Sequence, residues 1–201
     1  MDKLVLATQN EHKVQELEEL LDGMLIQILS YKDFVNLPDV IEDGMTFREN
    51  ALKKAREICK QVNLPTLADD SGLEVDLLKG APGVYSARFA GQEATDLENN
   101  QKLLKLLENY PDLNERTARF TSVIAFVQPD GFEKTVKGSC EGLLLTELRG
   151  EGGFGYDPLF YLPEYDATFA ELPMELKNKI SHRGHAFRKI VGELKKLKNK
   201  R

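Results

Sequence analysis

Two long runs rich in β-formers, 117–128 and 132–145, flank the turn tripeptide Pro129-Asp130-Gly131. Runs of that length closed by so short a turn predict an antiparallel hairpin, and hence a sheet that no helical bundle can hold. Upstream the pattern changes. A strand-like run at 3–7 leads through a polar loop into a helical stretch from about Glu11 to Leu21, and 25–29 alternates like a second strand. Early β-α-β alternation calls for parallel pairing, and the later hairpin is antiparallel. The expected class is therefore α/β, a mixed sheet flanked by helices. A chain of 201 residues buries a substantial core without disulfides or a structural metal. No repeat or linker divides it, so residues 1–201 read as one domain.

Helix boundaries are marked by capping boxes. Thr46 with Glu49 opens a helix to Val62 whose Phe47, Ala51, Ala55, Ile58, Cys59 and Val62 share a face, which makes Cys59 a core residue. Thr95 with Glu98 opens another, with Leu103, Leu104, Leu107 and Tyr110 at helical spacing. The last helix starts near Ser181 and buries Phe187, Ile190, Val191, Leu194 and Leu197. Between the first two, 66–69 reads as a short strand ending in Asp69-Asp70-Ser71-Gly72, and Leu73–Leu78 reads as extended again.

No apolar run approaches the roughly 20 residues of a membrane span, and no secretory signal precedes the first strand-like run. Cys59 and Cys140 lack metal or redox spacing, so a cytoplasmic setting is expected. A net charge of −6 argues against nucleic acid as a partner. The basic stretch Lys195–Arg201 suits the carboxyl end of a helix dipole.

Four constellations carry chemistry. Thr8-Gln9-Asn10-Glu11-His12-Lys13 joins a strand to a helix, where free N–H groups and the positive dipole end favour phosphate; Thr8 as a plain helix cap is the competing reading. Glu42-Asp43 and Asp69-Asp70 supply the oxygen donors that magnesium prefers, and neighbours in a strand point opposite ways, so Asp69 and Asp70 are expected to do different jobs. Asp43, before Gly44, reads as a turn residue; Lys54 borders the apolar stripe of its helix, whereas Lys53 reads as solvent-facing. Third, Gly150-Glu151-Gly152-Gly153-Phe154-Gly155-Tyr156-Asp157-Pro158 interleaves aromatics with glycines, so a base could stack there or the aromatics could be core. Fourth, Lys177 and Ser181-His182-Arg183-Gly184 bring donors to the mouth of the last helix, with Ser181 as its cap in the plainer reading and His185 as surface. Arg88, in the loop Gly80–Phe89, could brace the acidic site, touch phosphate or only close a turn.

In this order the stretches Leu6–Lys13, Phe47–Ala55, Ala68–Asp76, Gly80–Phe89, Gly152–Pro158 and Lys177–Gly184 resemble the inosine-triphosphatase-like (Ham1) family of non-standard purine nucleotide pyrophosphatases. The resemblance spans residue 3 to about 190. It implies an elongated α/β fold with two lobes around a central cleft, a homodimer, and magnesium-dependent cleavage between the α- and β-phosphates. It further implies that Thr8, Gln9, Asn10, Glu11, His12, Lys13 and Lys54 meet the triphosphate, and that Glu42 and Asp70 serve the metal. Asp70 would be the proton acceptor and Ser71 a substrate contact. Phe154, Gly155, Tyr156, Asp157, Lys177, His182 and Arg183 would surround base and sugar, with His182 and Arg183 donating to an oxygen at the purine six position. One departure is Gln9, where the family's Thr-Gly-Asn triplet has glycine. Two rivals stay open: a pyrophosphatase for modified pyrimidines or methylated nucleotides, and a non-catalytic nucleotide sensor.

Overall fold

The computed structural model describes residues 2–8, 14–15, 18, 26–35 and 37–198. Of the first predicted helix, only Val14, Gln15 and Glu18 are described, and they are helical. Gln9, Asn10, Glu11, His12 and Lys13 lie outside the described residues.

Seven strands form one mixed sheet in the order β2-β1-β3-β4-β5-β6-β7: β1 (Lys3–Leu6), β2 (Gln27–Leu29), β3 (Thr66–Val75), β4 (Thr117–Val127), β5 (Glu133–Leu144), β6 (Phe160–Leu162) and β7 (Ala167–Thr168). β1 pairs in parallel with β2 and β3, while β6 pairs antiparallel with β5 and β7. The four helices with described bounds are α1 (Phe47–Val62), α2 (Asp96–Leu106), α3 (Met174–Ile180) and α4 (His182–Lys198). The predicted hairpin is β4–β5, its turn held by Gln128 N–H donating to the Phe132 carbonyl at 2.9 Å. Both capping boxes are formed, at Thr46/Glu49 and Thr95/Glu98.

Three expectations differ from the structure. Asp69-Asp70-Ser71-Gly72 does not end a short strand; it lies inside the single ten-residue strand β3. The extended run then stops at Val75, because Asp76–Leu78 turns into a 3-10 helix closed by Lys79 in the left-handed region at φ 53°. Likewise α2 ends at Leu106, leaving Tyr110 outside the helix and exposed.

The chain divides into two compact units. One comprises Met1–Asp70, Ser122–Gly138 and Arg183–Arg201; the other comprises Ser71–Thr121 and Ser139–His182. Each has its own core. In the first, Ala186, Phe187, Ile190 and Leu194 of α4 pack on Leu4, Leu6, Leu67, Ile124 and Phe126. β1 is buried on both faces, as a strand with parallel neighbours on either side must be. In the second, Leu103 and Leu107 join Leu73, Val75, Phe120, Tyr156, Phe160 and Phe169. Phe120 stacks nearly parallel to Phe169, at 5.7 Å and 9°.

The second unit also buries a cation that pairs with backbone. Arg116, 2% exposed, donates from Nε to the Leu144 carbonyl, from Nη1 to those of Leu107 and Tyr110, and from Nη2 to that of Leu145. It thereby satisfies carbonyls at the end of α2 and fastens them to the end of β5. Burial lowers its pKa, yet guanidinium stays charged. Arg116→Met should cost at least about 3 kcal/mol, since it strands several buried carbonyls at once. Urea unfolding of the two proteins would measure it, and a loss below about 1 kcal/mol would contradict this role.

Candidate active site

The first unit gathers charge around the carboxyl end of β1. The parallel register pairs Leu6 with Leu67, and Ala7 N–H donates to the Leu67 carbonyl at 2.7 Å. Thr8 therefore emerges level with Asp69, and both line a cavity of about 10 Å³ with Ala68, Ile124 and Phe187. The carboxyl edge of parallel strands is where open α/β sheets take ligands.

Pleating sends Asp69 and Asp70 to opposite faces of β3. Asp69 Oδ2 lies 3.5 Å from Arg183 Nε, with both side chains buried. Asp70 Oδ2 accepts from Asn50 Nδ2 at 2.9 Å. Asn50 uses both ends of its amide, since its Oδ1 also accepts from Gly44 N–H at 2.7 Å. A Cβ on Gly44 would stand 2.6 Å from that oxygen, so glycine lets the 42–46 loop close on α1. The loop then delivers Glu42 to Lys54, which is 8% exposed and pairs with Glu42 Oε1. Burial works against the Lys54 charge, but Glu42, Asp69 and Asp70 outweigh it and raise the ammonium pKa above its ordinary value. The stabilisation that Lys54 adds is therefore complete below the unfolded value of about 10.4 and is lost only as pH rises through the folded one. Lys53 faces outward as expected and holds exposed Asp43 at 2.7 Å.

Three carboxylates and two cations thus share this region. Among the described residues no three His, Cys, Asp or Glu side chains form a preformed metal cage. Magnesium does not require one, because it takes one or two carboxylates and completes its shell with phosphate oxygens and water. Glu42 and Asp70, oxygen donors beside buried cations, fit that pattern.

The second unit builds a different surface. Gly150, Gly153 and Gly155 adopt φ of 90°, 75° and 62°. Asp157 Oδ2 accepts from Phe154 N–H and from Lys177 Nζ, each at 2.8 Å, and the Lys177–Asp157 pair is almost fully buried. The Lys177 ammonium stands 5.1 Å from the centroid of the half-buried Phe154 ring. Buried His182 stacks on Phe120 at 4.8 Å and 13°. Tyr156 belongs to the core, where its hydroxyl donates to the Ser86 carbonyl at 2.8 Å, and burial followed by the charge of Asp96 raises its pKa. Arg88 lies over the Tyr85 ring at 5.3 Å.

Residues 4–193 match the Ham1 family. The chain is 58% identical over 195 residues to the dITP/XTP pyrophosphatase of Desulforamulus reducens, covering 97% of this chain and 96% of that protein. It is 53% identical over 186 residues to the dITP/XTP pyrophosphatase of Geobacter sulfurreducens, covering 92% and 93%. The chain belongs to the Ham1 family. Among solved Ham1 structures, that of a HAM1 protein from Coxiella burnetii superimposes with a TM-score of 0.89 at 45% identity, covering 98% of this chain and all of that one (100%). The Staphylococcus aureus Ham1 protein gives 0.87 at 38% identity, covering 97% and 99%.

Set against the sequence reading, this Ham1 chain brings Thr8, Glu42, Lys54, Asp70 and Arg183 into the first unit, and Phe154, Gly155, Tyr156, Asp157, Lys177 and His182 into the second. Ser71 is half-buried on β3. His182 and Arg183, adjacent in sequence, part company: one ring lies on Phe120, and the other side chain lies beside Asp69. Ser181 is the extended residue between α3 and α4. His185 is half-buried on α4. Asn50 escaped the sequence reading. The available signal was a polar residue within the apolar stripe of α1, between Phe47 and Ala51.

The glycines of the 150–155 loop differ in what they tolerate. A Cβ on Gly153 would fall 2.2 Å from Asp157 Oδ2, at a positive φ as well; a Cβ on Gly155 meets nothing within 4 Å. Gly153→Ala should therefore cost at least about 2 kcal/mol by displacing the Asp157–Lys177 pair, and Gly155→Ala only about 1 kcal/mol. Denaturant midpoints would rank them, and equal losses would contradict the assignment.

Proposed function

We propose that this Ham1-family chain is a magnesium-dependent pyrophosphatase that hydrolyses dITP, ITP and XTP to the monophosphate and pyrophosphate, clearing aberrant purines from the nucleotide pool. The observation that carries this reading is the group of buried Asp70, Asn50 and Lys54 with half-buried Glu42, a fixed carboxylate beside a buried ammonium and a second carboxylate. Relatives named dITP/XTP pyrophosphatase at 58% and 53% identity support the choice of reaction.

In this reading Thr8, Gln9, Asn10, Glu11, His12 and Lys13 engage the triphosphate, Lys54 adds positive charge, and Glu42 and Asp70 hold Mg²⁺. The ion, when bound, supplies the charge that acidifies water and offsets the phosphate oxygens. Asp70, oriented by Asn50, accepts the proton of water attacking in line at the α-phosphorus. Lys13 and Lys54 neutralise the departing pyrophosphate, stabilising charge that grows on the leaving group. Arg183 keeps the neighbouring Asp69 compensated, so that the two carboxylates divide structural and chemical work. Ser71 contacts the substrate.

Phe154 offers a face on which a purine stacks, a contact of about 1–3 kcal/mol. Gly155 and Tyr156 shape the loop behind it, Asp157 holds Lys177, and Lys177, His182 and Arg183 supply N–H donors. Hypoxanthine and xanthine answer those donors with an oxygen at position six. Adenine presents an amino group there and leaves a buried donor unpaired, at about 1–3 kcal/mol. The two units are proposed to act as one pyrophosphatase domain, residues 1–201, assembled as a homodimer. Exposed Val35, Ile41 and Met45 are apolar surface of the kind such an assembly buries. Unpaired Cys59 and Cys140 fit the reducing cytoplasm. Among the described residues no helix is long and apolar enough to cross a membrane.

A nucleotide panel with pyrophosphate and orthophosphate detected separately tests the reading. Pyrophosphate should appear from dITP, ITP and XTP, stop with chelator, and be far slower from ATP. Asp70→Asn keeps an acceptor for Asn50 and should fold normally while losing at least about 100-fold in turnover. Near-full turnover by that variant, or comparable rates on ATP and ITP, would contradict the assignment. Tight ITP binding without pyrophosphate release would instead favour a nucleotide sensor.

A further inference from the structure

α2 carries a polar face that neither the capping box nor the core explains. Asp96 and Asn100 lie one turn apart and both reach Gly155. Gly155 N–H donates to Asp96 Oδ2 at 2.7 Å, and Asn100 Nδ2 donates to the Gly155 carbonyl at 2.8 Å. Asn100 Nδ2 also donates to the Asp96 carbonyl at 2.8 Å, which steadies the amide against its own helix. Asn100 is 3% exposed, so this is a built contact and not a surface encounter. Both polar groups of one residue are thus taken by one helix, at a position whose left-handed φ of 62° needs to be held.

The consequence concerns what lies either side of Gly155. Phe154 and Asp157 belong to the same turn, and Asp157 Oδ2 accepts from the Phe154 N–H. With the Gly155 N–H and carbonyl occupied by α2, the loop cannot swing without breaking two hydrogen bonds, one of them to a carboxylate. The neighbouring Asn99 does the same for a second loop, accepting from Ala90 N–H at 2.7 Å and donating to the Ala87 carbonyl at 3.2 Å. The polar first half of α2 is therefore a clamp for loops, and Leu103 with the capping residue Leu107 anchors the helix in the core.

We infer that Asp96 and Asn100 are positioning residues that hold the Phe154–Asp157 loop in the conformation that receives the base, and so set base affinity without touching the nucleotide. The inference rests on the proposed purine-nucleotide reading for its ligand, but the clamp itself does not. Gly155 then contributes geometry, and its amide is not a substrate contact.

Three proteins test it: Asp96→Ala, Asp96→Asn and Asn100→Leu, each beside the parent chain. The first readout needs no ligand. Amide hydrogen exchange at Gly155 should be slow in the parent and in Asp96→Asn, which keeps an oxygen acceptor, and markedly faster in Asp96→Ala. The second uses inosine monophosphate and inorganic pyrophosphate as separate inhibitors of dITP hydrolysis. Asp96→Ala, which loses a charge-assisted hydrogen bond, should weaken inosine monophosphate inhibition and raise KM by about tenfold or more, and Asn100→Leu, which loses a neutral one, should do both by roughly threefold or more. Pyrophosphate inhibition and kcat should change little, and Asp96→Asn should restore the parent values. Equal losses for both inhibitors in step with a lower melting temperature would make the pair merely structural and overturn the proposal. So would unchanged exchange and unchanged KM in Asp96→Ala. If the parent chain does not hydrolyse dITP, the purine reading fails, and the exchange measurement still decides whether the clamp exists.

Discussion

The pleat of β3 puts two adjacent carboxylates on opposite faces of one strand, and both are nearly buried: Asp69 at 2% and Asp70 at 6% exposure. A buried carboxylate that is not compensated costs several kcal/mol, so each face must supply its own partner. On one face the partner is Arg183 at the start of α4, and on the other it is Asn50 on α1, with Lys54 in electrostatic reach. Much of the first unit can be read as the means of meeting that requirement. α1 is capped so that Asn50 and Lys54 sit in its first turns, and α4 is packed on β1 through Phe187 so that Arg183 begins it.

The two faces are compensated by different chemistry. Asp70 meets a neutral amide, and Lys54 answers three carboxylates at once. Among the described residues this region holds three carboxylates, Glu42, Asp69 and Asp70, against two cations, Lys54 and Arg183, and the proposed magnesium ion would redress that balance. The second unit solves a different problem. Its carboxylate, Asp157, is engaged by Lys177 and by the Phe154 N–H, and the half-buried Phe154 ring lies beside that pair.

What could be read from the sequence was what is local. Capping boxes at Thr46/Glu49 and Thr95/Glu98 act within one turn and were legible, as was the β4–β5 hairpin around Pro129-Asp130-Gly131. The placement of Asp69 and Asp70 on opposite faces was legible too, because pleating depends only on adjacency. β3 itself was misread, since Asp-Asp-Ser-Gly carries turn chemistry and only strands on either side make it extended. Arg116 offered no signal: a lone arginine reads as surface until the carbonyls of Leu107, Tyr110, Leu144 and Leu145 enclose it. Asn50, Asp96 and Asn100 were invisible for the same reason, their partners lying far away in the chain. Tyr156 looked as available to a base as Phe154 because spacing cannot say which side of a glycine turn faces the core.

In the proposed reaction Asp70 and its neighbours direct water onto the α-phosphorus. Hydrolysis of dITP in ¹⁸O-water, followed by mass spectrometry of both products, tests it most directly. Attack at the α-phosphorus puts the label in the nucleoside monophosphate and none in the pyrophosphate. Label in the pyrophosphate, or labelled orthophosphate as the first product, would place the attack at another phosphorus and contradict it.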